Sequence, residues 1–479
     1  MMIVVSTSFF IKPMLCAGKA WSVKKGIDME MKKATMYSTV FGKSGVVQTV
    51  YDTGMVPDVK EQEMNVVNLY PRKRYQLIEG FGGALTESAG YTLARMSPEK
   101  QKEVVEAYYG EEGIGYTLGR VHMDSSDFSI NNYCAVKNPD DPLFSDFTLE
   151  RDAKYVQPLV KMAGEALGKP VSLLLSPWSP PAFMKDTGVR NGGGHLRGEC
   201  YQAYADYVVK YIAEYRKQGI PIGRMTVQNE PLAVQTWDSC EYTAQEEKEF
   251  LRDYLYPALQ QNGLGHIELY IWDHNKERVY ERTCDIVDET TKDMVAGVAF
   301  HWYSGDHFDT LQMVREDYPE LKLMHSEGCV EWSRGEEFAR DDARHARMYA
   351  HDMIGDLNHG MNSWIDWNIV LDEQGGPNHV GNFCNAPVIC DTRTDEVIYK
   401  PMFHAVGQFS KYIKPGAVRI GCSSFSPNVE VTAAQNPDGS IAVVILHTDM
   451  DRKMIHLRVE GKVTRVILPG DSVSTVVLE

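Results

Sequence analysis

Between Tyr75 and Val370 the chain changes its hydrophobic period repeatedly, and it does so eight times. Short β-branched runs, "YQLIEGFGG" (75–83), "GYTLGRVHMD" (115–124), "VSLLLSPW" (171–178) and "GRMTVQNE" (223–230), come first. "IELYIWDH" (267–274), "VAGVAFHWY" (295–303), "LKLMHSEG" (321–328) and "MNSWIDWNIV" (361–370) continue the series. Between them lie stretches whose apolar residues recur at helical spacing, such as "SPEKQKEVVEAYYG" (97–110), with Ser97 as the cap and Pro98 in the first turn. "YQAYADYVVKYIAEYRKQG" (201–219) and "ARHARMYAHDMIGDL" (343–357) are further examples. Eight strand–helix units is the number that closes a parallel barrel ringed by helices. The class is therefore α/β, a (β/α)8 TIM barrel.

The flanks lack helices. Residues 34–74 and 416–479 carry strand-type alternation, with "NPDGS" (436–440) as a hairpin turn. Two short all-β flanks combine most simply into one β-sandwich side domain beside a barrel spanning 75–415. Residues 1–33 form a leader of uncertain role. Its apolar start has no basic region before it, and Lys12 and Pro13 interrupt it, unlike a secretory signal. The reading favours a cytoplasmic location, with secretion as the alternative should that stretch act as a signal.

The strand ends carry the chemistry. In a barrel of this kind the C-terminal ends of the strands form the active-site rim. Here they finish on Gly82–Gly83, Asp124–Asp127, Trp178, Asn229–Glu230, Asp273–His274, His301–Trp302–Tyr303, Glu327 and Asp366–Trp367–Asn368. A single glutamate at a strand end is ordinarily a solvated carboxylate. Glu230 and Glu327, closing the fourth and seventh strands amid Trp and Asn, suit the two carboxylates that flank a glycosidic bond. Trp178 and Trp367 read equally as core aromatics or as faces for a sugar ring, and His301 as a structural or a cleft histidine. Arg120 lies inside a strand, where an unpaired charge is costly. It is expected to pair with a rim carboxylate, Glu327 among them, and keep it ionised.

Charge narrows the partners. The 479 residues hold 49 Lys and Arg against 66 Asp and Glu, a net charge of −17. That balance argues against nucleic acid as a partner, because phosphate neutralisation needs a basic face. Stable membrane association is not expected either, for want of an apolar run of about 20 residues or a basic amphipathic helix. Oligomeric state is unread. The nine cysteines are an odd number without CxxC or Cys/His clusters, which points to free thiols rather than a disulfide framework or zinc site. "GIGYTLG" (113–119) misses the dinucleotide fingerprint and "TDMDRK" (448–453) lacks a calcium loop's Gly and Glu. No cofactor and no metal are expected.

Taken in order, "EGFGGALTES", "GIGYTLGRVHMDSSDFS", "VSLLLSPWSPPAFMKDTG", "QNEP", "FHWYSGDH", "HSEGC", "WIDWNIVLDEQGGPNHVGNF" and "YKPMFHAVGQFSKYIKPGAVRI" resemble glycoside hydrolase family 30, on the branch with glucosylceramidases. The resemblance implies a (β/α)8 barrel with a β-sandwich, no cofactor, and a β-glycoside or oligosaccharide substrate. It implies that Glu230 is the general acid/base and Glu327 the nucleophile of a retaining, double-displacement hydrolase. By the same resemblance Asn229 holds the sugar 2-hydroxyl, Asp127 and Trp178 bind the far hydroxyls, and Trp367 floors the subsite. His301, Tyr303 and Asn382 would line the cleft. Trp237, in "AVQTWDSCEY" (233–242), stands on the leaving-group side, where this chain departs from lipid-active relatives. The expected activity is a β-glucosidase of glucosylceramidase type. A β-1,6-glucanase or β-xylosidase of the same family is the alternative, and a carbohydrate-binding protein on a degenerate hydrolase scaffold is the rival from another class.

Overall fold

The computed structural model describes residues 31–479 apart from 43–44, 62, 140, 142 and 336–339. Of the leader expected over 1–33, residues 1–30 lie outside the described residues. Eight strands pair in parallel and close: β1 (Gly80–Ala84), β2 (Leu118–Met123), β3 (Ser172–Pro177), β4 (Ile222–Thr226), β5 (Glu268–Asn275), β6 (Gly297–His301), β7 (Lys322–Glu327) and β8 (Ser363–Asn368). Each falls within one of the eight runs named above, extended by one residue at β1, β4 and β5. Helices Pro98–Tyr109, Tyr201–Lys217 and Asp342–Asn358 occupy the expected helical stretches. One local expectation fails. Ser97 precedes its helix, but its side chain makes no capping bond, and its backbone N–H instead donates to Asp395 Oδ1 at 2.8 Å.

The barrel interior explains where the polar rim comes from. Leu118, Leu174, Tyr270, Ala299, Met324 and Ile365, from six different strands, pack together as one buried plug. Side chains along a strand point to the same face every second residue. Two residues nearer the C-terminal end, the inward positions on five of these strands are therefore Arg120, Ser176, His301, Ser326 and Trp367, all buried. The hydrophobic plug is the floor on which the site is built. On β5 the pattern is re-aimed. Trp272 and Asp273 both adopt left-handed backbone (φ 74° and 54°), and the β5–β6 register shifts between Ala299 and Phe300. Asp273 consequently takes the inward place that strict alternation would give to Trp272. At the β1–β2 contact, a Cβ on Gly82 would lie 2.2 Å from the Leu118 carbonyl oxygen, so the two backbones approach as only glycine allows.

Both ends of the chain build the side domain. Its ten-stranded sheet runs, by residue range, 45–54, 33–42, 472–478, 441–447, 429–435, 417–424, 66–78, 453–459, 462–468 and 56–57. Met36 pairs with Val476, and Ser38 meets Ser474 across 436 residues of chain. Val67, Leu69, Ile420, Val443, Leu457 and Val476 belong to its separate core. The strand Val66–Ile78 crosses the 74/75 division drawn from sequence, and Glu79 alone separates it from β1. Among the described residues no helix is long and apolar enough to cross a membrane.

Candidate active site

Arg120 organises the rim. Its five N–H groups have five acceptors: Nε donates to Ser176 Oγ (3.0 Å), Nη1 to Glu327 Oε2 (2.8 Å) and Ser326 O (3.1 Å), and Nη2 to Asn229 Oδ1 (2.9 Å) and Asp273 Oδ2 (2.8 Å). A guanidinium carries five donors, so none is left over. Its carbon also lies 4.8 Å from the Trp178 ring centre and 5.4 Å from that of Trp367. The two indoles stack on each other at 5.1 Å. One fully buried cation thus ties β2 to the ends of β3, β4, β5 and β7.

Glu327 ends β7 and is held from two sides, by Arg120 and by the Tyr303 hydroxyl, which donates to Oε1 at 2.9 Å. Glu230 follows β4 on left-handed backbone (φ 47°), a conformation that costs about 1–2 kcal/mol in a non-glycine residue. Its N–H donates to Asp273 O at 3.0 Å, which fixes the turn. His301 bridges the centre: Nδ1 lies 3.2 Å from Glu230 Oε1 and 4.0 Å from Glu327 Oε1, and Nε2 lies 3.0 Å from Asp273 Oδ1. One ligand atom each from Glu230, His301 and Glu327 falls within a 4.8 Å span. Arg120, Tyr303 and His301 are hydrogen-bonded to these same carboxylates.

A cavity of about 160 Å³ opens above these groups and is lined by nine of the residues expected at the site: Asp127, Trp178, Asn229, Glu230, Trp237, Tyr303, Glu327, Trp367 and Asn382. Arg120 and His301 stand behind its wall, fully buried. Two strand-end carboxylates turn away. Asp124 accepts from Tyr207 Oη and Ala135 N–H, and Asp366 accepts from Tyr349 Oη at 2.8 Å, so both serve the scaffold. Four larger depressions, about 330, 890, 490 and 430 Å³, include no barrel strand end, and the first three border the side domain.

Several contributors were not singled out from sequence. Asn275, Gln235, Cys329, Glu331 and Cys384 also line the cavity, beside the strand-end His274. Asn378 donates to Asp127 Oδ2 at 3.3 Å. Asp238, next to Trp237, is buried and receives Arg190 Nε (2.6 Å), Ser125 Oγ (2.8 Å) and Asn132 Nδ2 (2.9 Å). That acidic hub fastens the loop bearing Trp237 to the loops after β2 and β3. The signal for it was present only as a polar residue beside a tryptophan.

Protonation follows from this crowding. Burial disfavours the charged form of His301, but Glu327, Asp273 and Glu230 overcome it and push the imidazole up to about 9. Burial also raises Glu230, yet the hydrogen bond and charge of His301, with His274, hold it down to about 2. At Glu327 burial and the repulsion of Glu230 and Asp273 outweigh His301 and Arg120, and its carboxyl is raised. Asp127 is pushed well above the usual carboxylate range by burial and by both glutamates.

Comparison with known proteins decides the family. The model for the glycosyl hydrolase family 30 TIM-barrel domain matches residues 78–413, and that for the family's β-sandwich domain matches 416–476. The chain belongs to glycosyl hydrolase family 30. The mouse lysosomal acid glucosylceramidase is 34% identical to this family 30 chain over 402 residues, 80% of this chain and 77% of the mouse protein. An endo-1,6-β-D-glucanase of Trichoderma harzianum is 26% identical and covers 84% of each chain. The crystal structure of SrfJ from Salmonella typhimurium superposes with a TM-score of 0.88 at 36% identity, covering 93% of this chain and 99% of that one. A family 30 glycosidase on a barrel-plus-sandwich fold is what the sequence pattern led one to expect.

Proposed function

We propose that this glycosidase works with retention and releases one β-linked sugar, glucose foremost, from the non-reducing end of a short soluble glycoside. The observation that supports this reading is that one carboxylate oxygen of Glu230 and one of Glu327 lie within 4.8 Å of each other beside a small cavity. Carboxyl groups about 5–5.5 Å apart suit a nucleophile and an acid on one bond, whereas inversion needs roughly 6.5–9.5 Å to admit a water. Glu327, oriented by Arg120 and Tyr303, attacks the anomeric carbon. The bond to the leaving oxygen breaks as Glu230 protonates it. Glu230 then takes a proton from water, whose oxygen displaces Glu327.

In the empty cleft the order of proton affinities is the reverse of what those roles require: Glu230 is held low and Glu327 is raised. His301 reconciles the two. A sugar ring that fills the cavity expels water and lowers the local dielectric, which favours the neutral pair over the ion pair. Moving the proton from His301 Nδ1 to Glu230 Oε1 makes the acid without uptake from solvent, and Arg120 with Tyr303 keeps Glu327 ionised. The basic limb of the pH–rate profile therefore belongs to the shared Glu230–His301 proton. Replacing His301 by Asn leaves that proton to a carboxyl alone, so the basic limb of kcat/KM should move at least one unit toward acid. An unmoved limb would exclude His301 from the pair.

Asn229 turns its oxygen to Arg120, leaving its NH2 for the sugar 2-hydroxyl. Asp127, its carboxyl raised by burial and by both glutamates, lines the cavity for a far hydroxyl, and the Trp178–Trp367 stack offers an apolar face. The mouse relative is named for glucosylceramide and the fungal one for 1,6-glucan, so the leaving group separates the readings. The acidic balance of −17 disfavours anionic membranes, which supports short soluble β-glucosides over glucosylceramide. Trp237, on the outer wall, should govern leaving-group choice. Its change to Ala should reorder oligosaccharide substrates while an aryl glucoside is comparatively unaffected, as read from kcat/KM across a panel. Internal cuts in a long β-1,6-glucan would favour the glucanase reading instead. The deciding experiment is labelling with a 2-deoxy-2-fluoro β-glucoside. The adduct is expected on the peptide containing "HSEGC", and label on Glu230, or inhibition without an adduct, would overturn the assignment.

A further inference from the structure

Two thiols stand in the wall of the cleft with no part in the chemistry above. Cys329 lies two residues beyond Glu327, and Cys384 lies two beyond Asn382. A short antiparallel ladder, Val330 with Asn385 and Glu331 with Cys384, brings the two segments together. Cys329 Sγ donates to Cys384 Sγ at 3.5 Å, and among the described residues no other cysteines meet sulfur to sulfur. Both line the substrate cavity, Cys329 8% and Cys384 1% exposed, so a small solute in the cleft meets Cys329 first. We propose that Cys329 and Cys384 form an oxidative modification site in the cleft wall, which a peroxide converts to a disulfide with loss of turnover.

The chemistry balances with hydrogen peroxide as the two-electron oxidant. One thiol gives its electron pair to a peroxide oxygen, forming a sulfenic acid and releasing water. The second thiol attacks that sulfur, the S–O bond breaks, and a second water leaves with the remaining thiol proton. Two electrons and two protons pass from the thiols to peroxide. The sulfurs must close from 3.5 Å to about 2.05 Å, a shift within reach of side-chain rotation and small backbone adjustment.

The coupling to turnover runs through Tyr303. Its hydroxyl lies 3.4 Å from Cys329 Sγ and donates to Glu327 Oε1 at 2.9 Å. The segment around Cys329 is otherwise pinned: Gly328 O accepts from Trp367 N at 3.0 Å, and Cys329 O accepts from Trp302 Nε1 at 3.2 Å. Joining Cys329 to Cys384 draws this segment toward the one bearing Asn382 and removes the sulfur from Tyr303. The nucleophile is left with an altered partner on its Oε1 side.

The test uses the full chain, reduced first, then exposed to graded hydrogen peroxide that catalase removes before assay. A loss of two mass units, a non-reduced peptide joining residues 329 and 384, and an at least fivefold drop in aryl β-glucoside turnover restored by dithiothreitol are expected. Cys384→Val, with Cys384→Ser as the second variant, should show neither the mass loss nor thiol-reversible inactivation. Absence of the 329–384 cross-link in the wild-type protein overturns the site, whether or not activity falls. A cross-linked protein with undiminished turnover overturns the coupling. The cross-link is read by mass alone, so a failure here is distinct from a failure of the catalytic assignment.

Discussion

Changing Glu230 to Gln should lower turnover of glucosides with poor leaving groups by about 10²–10⁴-fold, the usual contribution of a positioned acid/base. Activated aryl glucosides need no proton for departure, so they should still load Glu327 and then stall. Gln cannot deprotonate the incoming water. Azide, a nucleophile that needs no general base, should occupy the vacated space and release the sugar as the β-azide. Product configuration by NMR checks this directly. An α-azide would mean a single displacement and would sink the double-displacement mechanism. The fold itself should hold, because Gln keeps the volume and the strained backbone at Glu230 is fixed by its N–H bond to Asp273 O.

Arg120 should behave in the opposite way, costing stability as well as activity. Arg120→Met removes the cation that faces both Asp273 and Glu327 in a buried setting. Breaking a buried pair from one side costs about 3–5 kcal/mol, because the remaining charge has no compensation. Urea unfolding should show that loss as a lower midpoint with little change in slope. Arg120→Lys should recover only a fraction, since three donors on a single nitrogen cannot reach five acceptors spread over four strand ends. A methionine variant as stable as the parent would show that the guanidinium is not the keystone of the rim.

The barrel was legible because its signal is local and repeated: strand runs alternate with stretches of helical period, and eight strand runs leave one closed arrangement. The place of Glu230 and Glu327 on one cavity was legible for a related reason, since both close strands whose C-terminal ends form the barrel rim. What escaped depends on contacts between distant segments. Asn378 reaches Asp127 across 251 residues, and Arg190 reaches Asp238 across 48, neither of which any periodicity encodes. The turning of Asp124 and Asp366 away from the cleft was equally hidden. Both sit at rim positions by count, and only the tyrosines packed behind them decide the direction. The left-handed turn at Asp273 defeats simple alternation on β5 for the same reason: local backbone overrides period two.

The pairing of Met36 with Val476 sets an order of assembly. As the chain leaves the ribosome, the hairpin formed by residues 33–42 and 45–54 is the first of the described strands to appear, yet the strand that covers its inner edge, 472–478, is the last of them. Until then that edge offers unpaired backbone groups to any neighbour. The barrel can close meanwhile, because its strands follow one another along the chain. The sandwich is therefore a clasp fastened only after the barrel strands have been made. A chain stopped short of residue 472 leaves the clasp open however complete its catalytic residues are.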